Sequence, residues 1–179
     1  SRAGRTGPLF ASEQFGIKPD IMCCAKGIGG GSPIGAVLTS SKIADCMQLG
    51  SHGSTFGGNP LACAVAEKVM TLLSKKTLLN GVKKKEKIFI AGLKEINQEF
   101  QCFEEIRSSG LWIGCKLKVQ DGFNLDTMMQ ACYERGLMIL KANNNTIRIA
   151  PSLIIEDALI LKGLKVLKSA IQAQLHPQH

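Results

Sequence analysis

One lysine constrains this chain more than any other residue. Lys26 stands between an apolar run, Ile21 to Ala25, and a loop containing Gly27, Gly29, Gly30 and Gly31, after which a second apolar run opens at Ile34 and ends at Leu38. The order reads strand, lysine, tight loop, strand. The stretches Asp20 to Ala25 and Ile34 to Thr39 are almost continuously apolar, which predicts strands of a sheet buried on both faces. An ammonium group among such residues must be paired or do chemistry. A desolvated lysine has a lowered pKa and serves as an amine nucleophile toward carbonyls, and its small neighbours leave room for a bulky aldehyde. The plainer alternative is a surface lysine at a strand end, and spacing alone does not separate the two. The loop is neither a Walker phosphate loop, since no Gly-Lys-Ser/Thr closes it, nor a G-x-G-x-x-G turn.

Composition narrows the function classes. The chain has 179 residues, 45% hydrophobic and 20% charged, enough for one sizeable domain or two small ones of ordinary soluble character. No apolar stretch is long enough to span a bilayer, and the first residues lack the apolar core of a signal peptide. The seven cysteines form an odd set without a C-x-x-C pair. That argues against a disulfide framework or a structural zinc site, and for a reducing cytoplasmic setting in which they are small buried hydrophobes. The net charge of +8 raises nucleic acid as a partner. One Trp and one Tyr supply base-stacking surfaces poorly, however, and Lys83-Lys84-Lys85 fits the solvated face of a helix.

Along the chain, residues 1–15 read as loop and turn. Ser40 or Ser41 can cap a short helix, Lys42 to Leu49. The glycine-rich stretch Gly50 to Asn59 reads as a loop, and Pro60 sits where a helix starts. Ala62, Val65, Ala66, Val69, Leu72 and Leu73 form that helix's apolar face. Thr77 caps a second, longer helix with apolar positions Leu79, Val82, Phe89, Leu93, Ile96 and Phe100, interrupted by a gap at Glu86. Strands follow at Phe103 to Ser108 and Leu111 to Leu117, then a helix from Asp126 to Arg135 ended by Gly136. Leu137 to Leu140 and Thr146 to Ala150 read as strands about the Asn143-Asn144-Asn145 turn. A final helix opens on Glu156 and Asp157 and turns Ile160, Leu164, Leu167, Ile171 and Leu175 inward.

Several stretches, in this order, carry a family likeness: Gly4-Arg5-Thr6-Gly7, Lys18-Pro19-Asp20-Ile21, Ala25-Lys26-Gly27 through Gly35, Gly50-Ser51-His52-Gly53-Ser54-Thr55-Phe56-Gly57-Gly58-Asn59-Pro60-Leu61-Ala62-Cys63-Ala64, and Ile147-Arg148-Ile149-Ala150-Pro151-Ser152-Leu153. Together they resemble class III aminotransferases dependent on pyridoxal 5′-phosphate (PLP), and among these the acetylornithine and succinylornithine branch. The likeness runs from about Gly4 to the last helix. It implies an α/β chain, the C-terminal part of a fold-type I PLP-dependent transferase. Residues 1–76 would be the end of the large PLP-binding sheet domain and 77–179 a small C-terminal α+β domain. It also implies a homodimer that moves an amino group from N-acetylornithine, or a similar acylated ornithine or diaminopimelate, to 2-oxoglutarate in arginine metabolism.

Residue by residue, the resemblance makes Lys26 the lysine that holds PLP and the general acid–base at the substrate Cα. Ser54 and Thr55 fall in the loop that contacts the cofactor phosphate across the dimer interface, and hydroxyl and backbone N–H donors suit a phosphate. Arg148, on an otherwise apolar strand, matches the arginine that holds the substrate α-carboxylate, for which a guanidinium fork is the fitting partner. Arg107 reads as structural, with a possible part in positioning its domain, and His52 as packing or surface. The family's acidic partner of the pyridine nitrogen lies upstream of Gly-Arg-Thr-Gly and is not assignable here. Two alternatives stay open. One is a non-catalytic remnant or interaction module that keeps the fold. The other is an aminotransferase of the ornithine or γ-aminobutyrate type.

Overall fold

The computed structural model describes residues 3–119 and 123–175. The chain divides into two units, Ser1–Asn80 and Gly81–His179. In the first, helix α1 (Ala11–Gln14) leads to strand β1 (Ile21–Cys24), a 3-10 turn (Lys26–Gly29), strand β2 (Ala36–Thr39), helix α2 (Ser41–Ala44) and helix α3 (Pro60–Leu73). The long helix α4 (Lys76–Phe100) begins in the first unit, and from Gly81 it belongs to the second. Strands β3 (Phe103–Ser108) and β4 (Ile113–Leu117), helix α5 (Leu125–Glu134), strands β5 (Leu140–Ala142) and β6 (Thr146–Ile149), and helix α6 (Asp157–Leu175) follow.

β1 and β2 do form, as an antiparallel pair with Ile21 opposite Thr39 and Cys24 opposite Ala36. They are not buried on both faces as their apolarity predicts. Only Cys24 is buried, while Ile21 is 55% and Val37 60% exposed. A sheet of two strands has no neighbouring strand on either edge, and near-continuous apolarity records a propensity to be covered without stating what does the covering. The helix read over Lys42 to Leu49 stops at Ala44. Beyond it the backbone makes tighter i→i−3 bonds, Cys46 to Ile43 and Met47 to Ala44, before Gly50 turns out at φ 82°.

The second unit is built on a four-stranded antiparallel sheet in the order β3-β4-β6-β5. One face of β4 (Ile113, Cys115 and Leu117) is buried, while Gly114 and Lys116 face the other way. This is the period of two that places alternate residues on opposite faces. The core includes Phe89, Leu93 and Ile96 of α4, Met128 and Cys132 of α5, and Ile160, Leu164, Leu167 and Ile171 of α6. The inward face expected for α6 is borne out in these four residues. Gly92 allows α4 and α6 close approach, since a Cβ there would stand 2.5 Å from Leu164 Cδ1. The Lys83 cluster is not simply solvated: Lys84 Nζ donates to Asp157 Oδ2 at 2.7 Å. That bond holds the Asp157 carboxyl below the usual carboxylate range.

Two boundaries differ from the sequence reading for identifiable reasons. Thr77 lies inside α4, whose first residue is Lys76. β5 begins at Leu140 rather than Leu137, because Leu137 still serves the end of α5. Its N–H reaches back to the Cys132 carbonyl and that of Gly136 to the Tyr133 carbonyl, a Schellman closure with Gly136 at φ 79°. Ala142 pairs with Thr146, and Asn144 and Asn145 take positive φ to close the turn.

Candidate active site

Lys26 follows β1 at the start of the 3-10 turn, with φ 57°. A non-glycine residue in the left-handed region costs roughly 1–2 kcal/mol. Among the described residues other than glycine, only Gln101, Asn144 and Asn145 share this conformation, and the asparagines belong to a turn type that favours it. Lys26 is exposed, which is the surface-lysine alternative that spacing left open: the strand ends at Cys24 and the turn begins at Lys26. Its Nζ makes no hydrogen bond or ion pair among the described residues.

The turn beneath it is firmly seated. Ile28 and Gly29 are buried. A Cβ on Gly29 would lie 2.9 Å from Ile34 Cγ2, and one on Gly30 would lie 2.9 Å from Val69 Cγ2 and 3.3 Å from Val65 Cγ1. The glycines therefore let the loop fold onto itself and onto α3. The lysine rides on this anchored turn with a free amine.

Ser54 and Thr55 sit in the exposed loop that leads into α3. Gly57 folds back over Ser54, where a Cβ would come within 3.0 Å of the serine Cβ, and Gly57 N–H donates to the Ser54 carbonyl at 3.3 Å. Asn59 ties this loop to the helix. Its Oδ1 accepts from Ala62 N–H at 2.9 Å, and its Nδ2 donates to the Phe56 carbonyl at 2.9 Å. The Asn-Pro step marks a helix start in sequence, but the second bond, which fixes the loop, was not legible there. His52 is exposed in the same loop.

Arg148 lies on β6, opposite Gly114 of β4 and Leu140 of β5. It is partly buried, and its Nε is buried without a hydrogen-bond partner. A shallow groove of about 280 Å³ contains it, together with Arg107, Ser108, Trp112, Gly114 and Thr146. Arg107, on β3, also pairs with Gly114. The β3–β4 turn beside the groove is held from α4, where Glu86 Oε1 accepts from Ser108 Oγ at 2.7 Å and from Gly110 N–H at 2.9 Å. This is the physical reason for the gap at Glu86 in the apolar spacing of α4. Lys26, Ser54 and Thr55 belong to the first unit and Arg148 to the second.

Three of the buried thiols are held protonated by their surroundings. Burial pushes Cys102 and Cys132 up to about 11 and Cys115 to about 12. Cys23, Cys46 and Cys63 are exposed rather than the small buried hydrophobes expected, because they lie on the uncovered elements of the first unit. Among the described residues no cluster of His, Cys, Asp or Glu could hold a metal ion, and no helix is long and apolar enough to cross a membrane.

Residues 2–171 match the family Aminotransferase class-III. The chain is 46% identical over 172 residues to an acetylornithine/succinyldiaminopimelate aminotransferase of Buchnera aphidicola, covering 96% of this chain and 42% of that protein. It is 48% identical over 169 residues to a succinylornithine transaminase of Yersinia pseudotuberculosis, covering 94% and 41%. Its structure superposes on N-acetylornithine aminotransferase from Stenotrophomonas maltophilia with a TM-score of 0.85 at 36% identity, covering 98% of this chain and 45% of that one. On ornithine aminotransferase from Toxoplasma gondii the TM-score is 0.89 at 28% identity, covering 98% and 42%. The chain thus spans less than half the length of these relatives, and it belongs to the class-III aminotransferases, a PLP-dependent family.

Proposed function

We propose that this chain is the C-terminal portion of a PLP-dependent aminotransferase acting on N-acetylornithine or a similarly acylated ornithine or diaminopimelate, with 2-oxoglutarate as amino acceptor. The observation that carries the reading is Lys26: an exposed amine without a partner among the described residues, held at positive φ on a glycine turn packed against α3. Residues 1–76 would belong to the PLP-binding domain and 77–179 to the small domain. Acylated substrates are favoured over free ornithine because identity reaches 46–48% with relatives named for acylated substrates and 28% with the Toxoplasma ornithine enzyme.

The residues suit the cofactor. Lys26 offers an uncommitted amine. Gly27 leaves open space beside it, with nothing within 4 Å of an added Cβ. Ser54 and Thr55 offer hydroxyl donors from a loop that Asn59 holds in place. When bound, PLP supplies an aldehyde and an electron-withdrawing ring that eases breaking a bond at the substrate Cα. Lys26 would anchor the group through Nζ and, once released, hold the proton that leaves Cα. Ser54 and Thr55 would bind its phosphate, in the active site of a second subunit of a cytoplasmic homodimer. Arg148 would receive the substrate carboxylate, its buried and unpartnered Nε being a donor in want of an acceptor.

The test is direct. Incubating the chain with PLP and reducing with borohydride should place the mass label on Lys26, and Lys26→Ala should abolish it. Label spread over Lys83, Lys84 and Lys85 instead would overturn the assignment.

A further inference from the structure

We propose that Arg107 and Arg148 together form a two-point seat for a small dicarboxylate on the open face of the four-stranded sheet. The inference rests on the reading of Arg148 as a carboxylate ligand and adds a second arginine to it. Arg107 of β3 and Arg148 of β6 both pair with Gly114 of β4, so the three form one row across the sheet and share a face. The two arginine backbones stand two strand spacings apart, about 9.6 Å. Gly114 has no side chain to stand between them, and Arg107 and Thr146 close over it. A Cβ there would lie 3.5 Å from Arg107 Nε and 3.6 Å from its Cγ, so the Arg107 side chain lies across the glycine.

The groove's charged lining residues are Arg107 and Arg148, with no carboxylate among the rest. Two guanidinium groups in one groove repel unless an anion stands with them. Their settings differ. Arg148 Nε is buried and has no acceptor among the described residues. Arg107 is exposed, and its Nη1 touches Glu105 Oε2 at 3.4 Å, a long, solvent-screened pair that a ligand can displace. A guanidinium fork engages one carboxylate face at a time. One carboxylate seated deep at Arg148 therefore leaves Arg107 for a second, and Ser108, Trp112 and Thr146 wall the space between. A monocarboxylate would use half of the seat.

The experiment is calorimetric titration of the chain with glutarate and with butyrate, its monocarboxylate analogue, at fixed ionic strength. Glutarate should bind at least tenfold more tightly. Arg107→Gln should remove that preference and leave butyrate affinity unchanged, Arg107→Lys should keep part of it, and Arg148→Gln should abolish binding of both. Equal affinity for the two acids, or a preference that survives Arg107→Gln, would overturn the two-point seat while leaving Arg148 as a carboxylate ligand. Binding of both acids unaffected by Arg148→Gln would overturn the seat and the reading of Arg148 together.

Discussion

Replacing Asn59 with alanine removes two bonds at once, and their loss can be read separately. The Oδ1 cap on Ala62 N–H satisfies one of the donors that the first turn of α3 cannot satisfy internally, and losing such a cap costs about 1 kcal/mol. The Nδ2 bond to the Phe56 carbonyl is exposed and contributes roughly 0.5–1 kcal/mol. Together they amount to about 1.5–2 kcal/mol, which is roughly a 10- to 30-fold rise in opening of the helix start and its loop. Amide hydrogen exchange at Ala62 reads this directly. Asn59→Ala should accelerate it by about that factor and weaken PLP affinity by loosening Ser54 and Thr55. Asn59→Asp keeps the acceptor for Ala62 and loses the donor to Phe56. It should therefore leave Ala62 protected while still weakening PLP. Unchanged Ala62 exchange in Asn59→Ala would refute the reasoning, and so would equal PLP affinity in all three proteins.

Glu86→Ala should cost about 1.5–3 kcal/mol in denaturant unfolding, since it deprives Ser108 Oγ and Gly110 N–H of a charged acceptor; a loss within 0.5 kcal/mol, the usual range for a surface change, would count against it. Brief alkylation at neutral pH should modify Cys23, Cys46 and Cys63 and spare Cys102, Cys115 and Cys132. The raised thiol pKa values mean that the folded chain holds these protons more tightly than the unfolded one. The contribution of these thiols should thus be constant between neutral pH and about pH 9 and be lost as pH rises toward 11–12, and a melting temperature constant from pH 8 to pH 11 would contradict this. Light scattering over a dilution series should give a dimer or larger assembly, because Ile21, Val37, Phe56 and Leu61 leave apolar surface open on the first unit; a monomer at every concentration would show that face to be tolerated in water.

Much of this molecule is written locally. The period of α6, the Asn-Pro start of α3, the glycine end of α5 and the double-asparagine turn between β5 and β6 follow from residue chemistry acting over a few positions. So does the separation of Lys26 from the strand before it, because the glycines after it allow the chain to turn tightly at no steric cost. The order of family motifs is equally a property of sequence, and so is the nomination of Lys26, Ser54, Thr55 and Arg148. Other features depend on residues far apart in sequence. That β1 and β2 stand largely uncovered could not be inferred from their apolarity, since a side chain's hydrophobicity is its own and its burial is its neighbours'. The gap at Glu86 in an otherwise apolar helix became intelligible only when the fold brought a hairpin turn 24 residues away within 2.9 Å of its carboxylate. The pairing of Arg107 and Arg148 about Gly114 likewise needed the strand order β3-β4-β6-β5. Register across three strands sets which side chains share a face, and it is decided by the packing of the whole sheet rather than by any one strand.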